Sequence, residues 1–345
     1  MTKPKAIIIY TGGTIGMVQD SHTGALMPVN FDLLQANIPE IKKLDIELEI
    51  ITLSQTFDSS NVTISNWLNL INIIEEKYNE ADGFVILHGS DTMAHSASAL
   101  SFLIENLSKP IIFTGSQLPI GVLRTDAKEN FITALEIAVT KKNGEPIVSE
   151  VCIYFEYHLM KGNRTVKYSS SHFNAFRSMN YPNMAEAGVQ IKFNEPILRK
   201  HNGKPTIFRH QMDDNVGILK VFPGMNENYV GTILSILGLK ALVMETFGSG
   251  NAPTSEWFIN LLKNAIDKGL IICNVTQCPK GSVFLGKYKT SEQLAEIGVL
   301  NGYDITTESA LSKLMYLLAQ VPDRNEVKRL FQLPLREEMT VGEWN

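Results

Sequence analysis

Residues 6–16 read AIIIYTGGTIG, an uninterrupted apolar run that passes directly into a glycine-rich turn. Apolar residues on every position, without alternation, are typical of a strand that is covered on both faces, as in a parallel sheet. The glycines permit a tight turn with close backbone approach, and the two threonines place hydroxyl groups where the strand ends. The stretch therefore predicts a buried strand of an α/β sheet with polar groups at its carboxyl end.

Further runs of the same kind alternate with helical patterns through the first half of the chain. The expected strands are Ala6–Tyr10, Leu48–Thr52, Phe84–Leu87, Pro110–Thr114 and Val151–Phe155. Between them, apolar residues recur at three- and four-residue spacing, most clearly from Trp67 to Tyr78, where Ser65 is the candidate cap. Strand–helix repetition of this kind predicts a doubly wound, mostly parallel sheet.

The 345 residues fit two domains better than one. Residues 193–215 combine prolines, a glycine and many polar side chains, which indicates a linker. We therefore expect a larger N-terminal α/β domain at residues 1–192, which carries the chemistry, and a smaller C-terminal α/β domain at 216–345. Its expected strands are Val216–Phe222, Leu239–Glu245 and Gly269–Thr276.

Composition excludes several classes of protein. The net charge is −5 and no long run of lysine or arginine occurs, so we expect no nucleic-acid partner. No apolar run approaches the ~18 residues that span a membrane, and Ala6–Tyr10 is shorter than the roughly 7–15 residues of a signal-peptide core. Three cysteines without paired spacing favour a reducing, cytoplasmic compartment. The seven histidines show no metal-ligand spacing, so neither metal nor cofactor is expected.

A second polar cluster follows a second strand. Residues 83–93 read GFVILHGSDTM, which places the Ser90 hydroxyl and the Asp91 carboxylate between a strand and a helix start. Ligands of open α/β sheets bind beyond the carboxyl ends of strands, and helix N-termini present N–H groups suited to anions. Two such turns favour a binding site, although glycine-rich turns with capping residues and no function would look the same.

Taken together with four further segments, these two motifs resemble the signatures of the bacterial-type asparaginase family, and within it the cytoplasmic type I enzymes. The supporting segments are DSS at 58–60, FTGSQ at 113–117, KGNRT at 161–165 with Lys167, and GSGNAP at 248–253. They occur in the family's order and span nearly the whole chain. The resemblance implies the two-domain asparaginase fold, hydrolysis of L-asparagine to L-aspartate and ammonia through a β-aspartyl-threonine intermediate, and a homo-oligomer, either a dimer or a dimer of dimers.

The resemblance also assigns roles to individual residues. It makes Thr14 the nucleophile, with Ser90, Asp91 and Lys167 as the second catalytic group. It implies substrate binding by Asp58, Ser59, Ser60, Ser90, Asp91 and, reaching toward a neighbouring subunit's site, Asn251. The chemistry is reasonable, because a threonine hydroxyl needs a partner base, and a lysine beside Ser90 and Asp91 could pass a proton along a hydroxyl relay. Backbone N–H groups of the two turns could stabilise the oxyanion.

Three positions depart from the family pattern. Ser90 replaces the usual threonine, which keeps the hydroxyl but loses the methyl group that restricts χ1. Residues 17–29 contain no tyrosine to activate the nucleophile, and Leu26 lies nearest to that position. Tyr288 from the second domain is a candidate substitute, or an ordinary half-buried tyrosine. Glu245 stands where type I enzymes can carry an arginine for an allosteric asparagine, so we expect that regulation to be absent or altered.

Other functions remain as alternatives. Residues 281–288, GSVFLGKY, nearly match a phosphate-binding loop but end in tyrosine instead of serine or threonine, which disfavours a nucleotide hydrolase. A glutaminase or a broader amidase stays open, because one methylene is worth only about 1–3 kcal/mol of discrimination. A non-catalytic asparagine-binding protein on the same fold is the third alternative.

Overall fold

The computed structural model describes residues 3–19, 26–28, 38–286 and 289–342. The chain divides into two compact units, Met1–His210 and Gln211–Asn345. Each unit contains a sheet with helices packed against it, which confirms the expected two-domain α/β class.

The N-terminal unit is built on an eight-stranded mixed sheet. Its strands are β1 (Lys5–Tyr10), β2 (Glu47–Thr52), β3 (Gly83–Leu87), β4 (Ile111–Thr114), β5 (Val151–Phe155), β6 (His158–Lys161), β7 (Ala185–Ala187) and β8 (Ile191–Phe193). Their order across the sheet is β8-β7-β6-β5-β4-β3-β1-β2. The first five strands run parallel, as expected, and the last three are antiparallel.

The sequence does not predict the three antiparallel strands, because the turn that leads into them lacks the residues that usually form hairpin turns. Glu156 and Tyr157 connect β5 to β6, and both adopt positive φ values, 46° and 71°. Two-residue hairpins need positive φ at both positions, which normally calls for asparagine, aspartate or glycine. Because glutamate and tyrosine occupy that turn, the sequence pattern does not indicate that the chain reverses direction there.

Helices cover both faces of this sheet. They are α1 (Ile64–Lys77), α2 (Met93–Leu103) and α3 (Ala127–Val139). Alternate residues of β1 face opposite sides, and both Ile7 and Ile8 are fully buried. Helix α1 begins after Thr63, whose N–H donates to Asn66 Oδ1 at 2.8 Å, so the expected cap at Ser65 is wrong by two residues.

The C-terminal unit contains a four-stranded parallel sheet. Its strands are β9 (Val216–Lys220), β10 (Ala241–Thr246), β11 (Ile271–Thr276) and β12 (Leu300–Asn301), in that order across the sheet. Its helices are α4 (Glu227–Leu234), α5 (Glu256–Asp267), α6 (Lys289–Glu296), α7 (Thr307–Gln320) and α8 (Arg324–Phe331). Across the described ranges, no helix is both long enough and apolar enough to cross a membrane.

The segment 193–215, expected as a linker, contains some structure of its own. Ile207–Phe208 forms a short antiparallel pair with Ile104–Glu105, directly after α2. The division between the two compact units falls after His210.

Candidate active site

Four loops meet at the carboxyl edge of the large sheet. They follow β2, β1, β3 and β4, which are neighbours in that order, so their ends lie side by side. The Thr11 hydroxyl donates to Leu87 O at 2.9 Å, which joins the ends of β1 and β3. The Phe57 N–H donates to Thr11 O at 2.9 Å and brings in the loop that follows β2. The strand order therefore assembles polar segments that are distant in the sequence.

Glycines allow three of these loops to pack closely against one another. Gly13 has φ +88°, and a Cβ added there would lie 2.6 Å from Gly89 Cα. A Cβ on Gly89 would in turn lie 2.5 Å from the Ser59 hydroxyl oxygen. Contacts this short exclude any larger residue unless the neighbouring atoms move. Because Thr14 and Ser90 each follow one of the two touching glycines, they are brought to the same place.

Thr14 opens a short 3-10 turn, Thr14–Gly16, and is partly buried. Within the described residues, its hydroxyl makes no hydrogen bond. A threonine hydroxyl at a glycine-lined loop junction is a candidate nucleophile.

Lys167 links the two polar residues that follow β3. Its Nζ donates to Ser90 Oγ at 2.9 Å and to Asp91 Oδ1 at 2.6 Å. The lysine side chain is 19% exposed, whereas that of Asp91 is 62% exposed. The lysine thus sits on the protein side of the cluster and the carboxylate faces solvent. The structure brings together the residues predicted as the second catalytic group.

The loop at 58–60 presents an ionised carboxylate. Asp58 Oδ1 accepts the Ser60 N–H at 2.8 Å and the Ser60 hydroxyl at 2.7 Å, which together lower the pKa of Asp58. Ser59 is buried, and its carbonyl accepts the Thr92 hydroxyl at 2.6 Å. The loop is thereby tied to the turn that carries Ser90 and Asp91.

Gln117 is a site residue that the sequence did not single out, although its segment was noted. The Ser90 hydroxyl donates to Gln117 Oε1 at 3.4 Å, and Gln117 Nε2 donates to His172 O at 3.0 Å. The buried Asp126 carboxylate accepts the Gln117 N–H at 2.9 Å and holds the loop after β4. Burial raises the pKa of Asp126, while the amide bonds oppose that rise. The position of Gln117 in the loop that follows a buried parallel strand was the signal by which the sequence could have identified it.

Two expected site residues belong to other parts of the chain. Tyr288 lies outside the described residues. Asn251 belongs to the C-terminal unit, where it closes a turn by accepting the Phe247 N–H at 2.9 Å through its backbone carbonyl.

Glu245 is engaged within the C-terminal unit. It accepts the Thr307 hydroxyl at 2.7 Å and lies 3.6 Å from Lys220 Nζ. The carboxylate expected to alter an effector site is thus held at the end of β10.

The clustered groups suit acyl transfer. They comprise the Thr14 hydroxyl, a lysine-bound hydroxyl at Ser90, and two carboxylates at Asp58 and Asp91 that can attract an ammonium group. No group of three or more histidine, cysteine, aspartate or glutamate side chains in the described ranges could hold a metal ion.

Comparison with protein families matches both units. Residues 5–199 match the family model described as Asparaginase, N-terminal, and residues 215–331 match the Glutaminase/Asparaginase C-terminal domain.

Individual relatives match along the whole chain. L-asparaginase 1 of Escherichia coli K12 is 38% identical over 343 residues, covering 99% of each chain. The 60 kDa lysophospholipase of Mus musculus is 38% identical over 362 residues, covering 98% of this chain but 63% of that protein. The crystal structure of L-asparaginase I from Vibrio cholerae is 37% identical, with a TM-score of 0.88 and coverage of 98% of this chain and 100% of that one.

Proposed function

Because the chain belongs to the asparaginase family and hydrolyses L-asparagine to L-aspartate and ammonia, we propose that Thr14 is the nucleophile of this amidohydrolase. The observation that carries the proposal is the backbone contact of Gly13 with Gly89, which sets Thr14 beside the Lys167–Ser90–Asp91 cluster. Covalent catalysis of this kind divides one difficult hydrolysis into two easier steps.

Substrate binding is proposed to use both charges of the free amino acid. Asp58 and Asp91 share the α-ammonium group, and the loop containing Ser59 and Ser60 holds the α-carboxylate. Ser90 completes the pocket, and Asn251 contributes from a neighbouring subunit. Holding both ends fixes the side-chain amide against Thr14, which replaces a bimolecular encounter with a preset one.

The reaction then proceeds in two stages. Thr14 Oγ attacks the amide carbon and gives its proton to the Ser90–Lys167 relay. The relay returns that proton to the amide nitrogen of the tetrahedral intermediate, the C–N bond breaks, and ammonia leaves behind the β-aspartyl ester. Water hydrolyses that ester and restores the hydroxyl. Support for the relay is the 2.9 Å bond between Lys167 Nζ and Ser90 Oγ. Tyr288 remains the alternative group for activating Thr14.

The test pairs removal of each reacting group with a variant that keeps its chemistry. Thr14→Ala should fold and release no measurable ammonia from L-asparagine, whereas Thr14→Ser should retain turnover. Lys167→Met should lower kcat by at least about 10²-fold, the scale of general acid–base catalysis. Ammonia release is measured alongside circular dichroism of each variant. Undiminished turnover by Thr14→Ala would exclude the nucleophile proposed here.

We also propose a cytoplasmic homo-oligomer, as a dimer or dimer of dimers. A reducing location is supported by the cysteines, because Cys152, Cys273 and Cys278 are all free thiols.

A further inference from the structure

A chain of hydrogen bonds runs through the core toward the site and ends on Gly89. Trp67 Nε1 donates to Ser96 Oγ at 2.9 Å. Ser96 Oγ lies 3.0 Å from His88 Nε2, and His88 Nδ1 lies 2.7 Å from Gly89 O. The first three residues are all buried, and His88 is only 1% exposed.

The directions of these bonds are fixed by chemistry. An indole N–H can only donate and a carbonyl oxygen can only accept. His88 Nδ1 must therefore carry the proton that bonds to Gly89 O. Its Nε2 is then an acceptor and takes the Ser96 hydroxyl proton, while the Ser96 oxygen takes the Trp67 N–H. Only one tautomer satisfies every member of the chain.

His88 cannot serve as a general base. Burial lowers its pKa to about 4, so it is neutral at physiological pH, and both ring nitrogens are occupied. The rings of Phe57 and Phe113 meet it edge-on at 5.9 and 5.7 Å between centroids. The imidazole is thus a fixed neutral donor, packed on two sides.

The bond to Gly89 O sets the next peptide plane. In a trans peptide the C=O of Gly89 and the N–H of Ser90 point in opposite directions within one plane. With the carbonyl held by His88, the Ser90 N–H is directed away from the imidazole, and it has no acceptor within the described residues. The same glycine abuts Gly13, the residue before Thr14.

We propose that His88 is a positioning residue, which holds the Gly89 carbonyl so that the Ser90 N–H is preset to stabilise the oxyanion formed when Thr14 attacks. The inference rests on the proposed function of Thr14. A preset donor acts on the transition state without reorganisation, so its loss lowers kcat and leaves substrate binding little changed. Trp67 and Ser96 act through His88 by fixing its tautomer.

The first experiment compares two replacements of His88 in the full chain. His88→Asn retains an N–H donor near the position of Nδ1, whereas His88→Leu removes it. We expect His88→Leu to lower kcat by about 10- to 100-fold, part of the ~10²- to 10³-fold cost of losing an oxyanion donor. KM for L-asparagine should change less than about threefold, and His88→Asn should recover most of kcat. Equal kcat in the two variants, or a loss confined to KM, would overturn the proposal.

The second experiment acts at a distance and has a matched control. Ser96 and Ser98 are both fully buried serines of α2, but the Ser98 hydroxyl has no hydrogen-bond partner in the described part of the chain. Ser96→Ala should lower kcat several-fold and change the ¹⁵N signature of His88, which in the wild type should show a protonated Nδ1 and an unprotonated Nε2. Ser98→Ala should change neither quantity. Equal effects of the two substitutions would contradict the relay.

The outcomes distinguish the positioning role of His88 from the nucleophile role of Thr14. If Thr14→Ala is inactive but His88→Leu and Ser96→Ala both turn over normally, only the positioning role fails. If Thr14→Ala remains active, the nucleophile assignment fails first.

Discussion

At the scale of single residues, chemistry in this protein depends on neighbours that are distant in the sequence. The resemblance identified Thr14 and Lys167, but only the fold shows Lys167 bonded to Ser90, which lies 77 positions earlier. Sequence spacing gives His88 no metal role, and it gives no sign of the positioning role proposed here, which depends on a Ser96–Trp67 bond across 29 positions. Residue type can therefore be predicted where a motif carries it, whereas a relay between separate elements cannot.

The buried state of His88 predicts a pH dependence of folding. Its pKa is about 4 in the folded protein against an ordinary value of 6.5. As the pH falls, the unfolded chain binds the proton first, which favours unfolding. The contribution of His88 to the free energy of unfolding is therefore fully present above pH ~6.5 and is lost toward pH ~4. The loss should approach about 1.4 kcal/mol per pH unit in the free energy of unfolding, or about 3 kcal/mol in total.

Denaturant unfolding at several pH values between 7.5 and 4.5 measures this dependence. His88→Asn is the control, because it keeps a polar donor and removes the titrating group. The wild-type free energy of unfolding should fall more steeply than that of the variant. Parallel curves would show that His88 does not titrate with a lowered pKa.

At the scale of elements, the sequence was most informative where a strand is covered on both faces. The expected strands of the parallel part agree with the structure to within one residue at each end, because continuous apolar runs have clear ends. The antiparallel strands β6, β7 and β8 were missed. They are short, and the Glu156–Tyr157 turn adopts positive φ without the residues that usually announce it.

The glycine-rich turn after β1 can be tested as an element. Gly13 and Gly144 have nearly the same φ, +88° and +87°, but a Cβ on Gly144 would meet nothing within 4 Å. An alanine at either position carries the strain of a positive φ, about 1–2 kcal/mol. Only Gly13→Ala must also push Gly89 aside, and a displacement of about 1 Å at reacting groups can cost 10²-fold in rate.

The measurement is kcat/KM with thermal unfolding for both variants. Gly144→Ala should lose a little stability and no activity, whereas Gly13→Ala should lose activity far beyond its loss of stability. Similar activity in the two variants would mean that the contact between the Gly13 and Gly89 backbones does not position the site.

At the scale of the whole molecule, composition indicated two units but did not reveal how distant segments pair within one of them. The stretch 193–215 has the polar, proline-containing character of a linker, yet Ile207–Phe208 pairs with Ile104–Glu105 about a hundred positions earlier. Pairing over that distance leaves no local signal, because a two-residue strand has no periodicity to detect. Each unit nevertheless has its own buried apolar core, as the alternation of strands and helices predicts.

Exposed apolar side chains gather along the edge strand and first helix of the C-terminal unit. Phe222 and Tyr229 pack against each other with ring centroids 5.4 Å apart, although both remain exposed. Leu237, after α4, is 99% exposed. Apolar surface of this kind is often covered by another protein chain, and most soluble oligomers are homo-oligomers. The pattern supports the homo-oligomer implied by the resemblance.

A site completed by Asn251 of a neighbouring subunit requires that assembly for turnover. Specific activity should therefore fall on dilution below the dissociation constant of the oligomer, in step with the loss of mass seen by light scattering. Leu237→Glu should raise the concentration at which activity is lost, because a charge is costly to bury at an interface. Val189→Glu alters an equally exposed apolar residue of the N-terminal unit and should leave that concentration unchanged. A monomer with full activity would contradict the shared site, because Asn251 would then have no neighbouring subunit to complete.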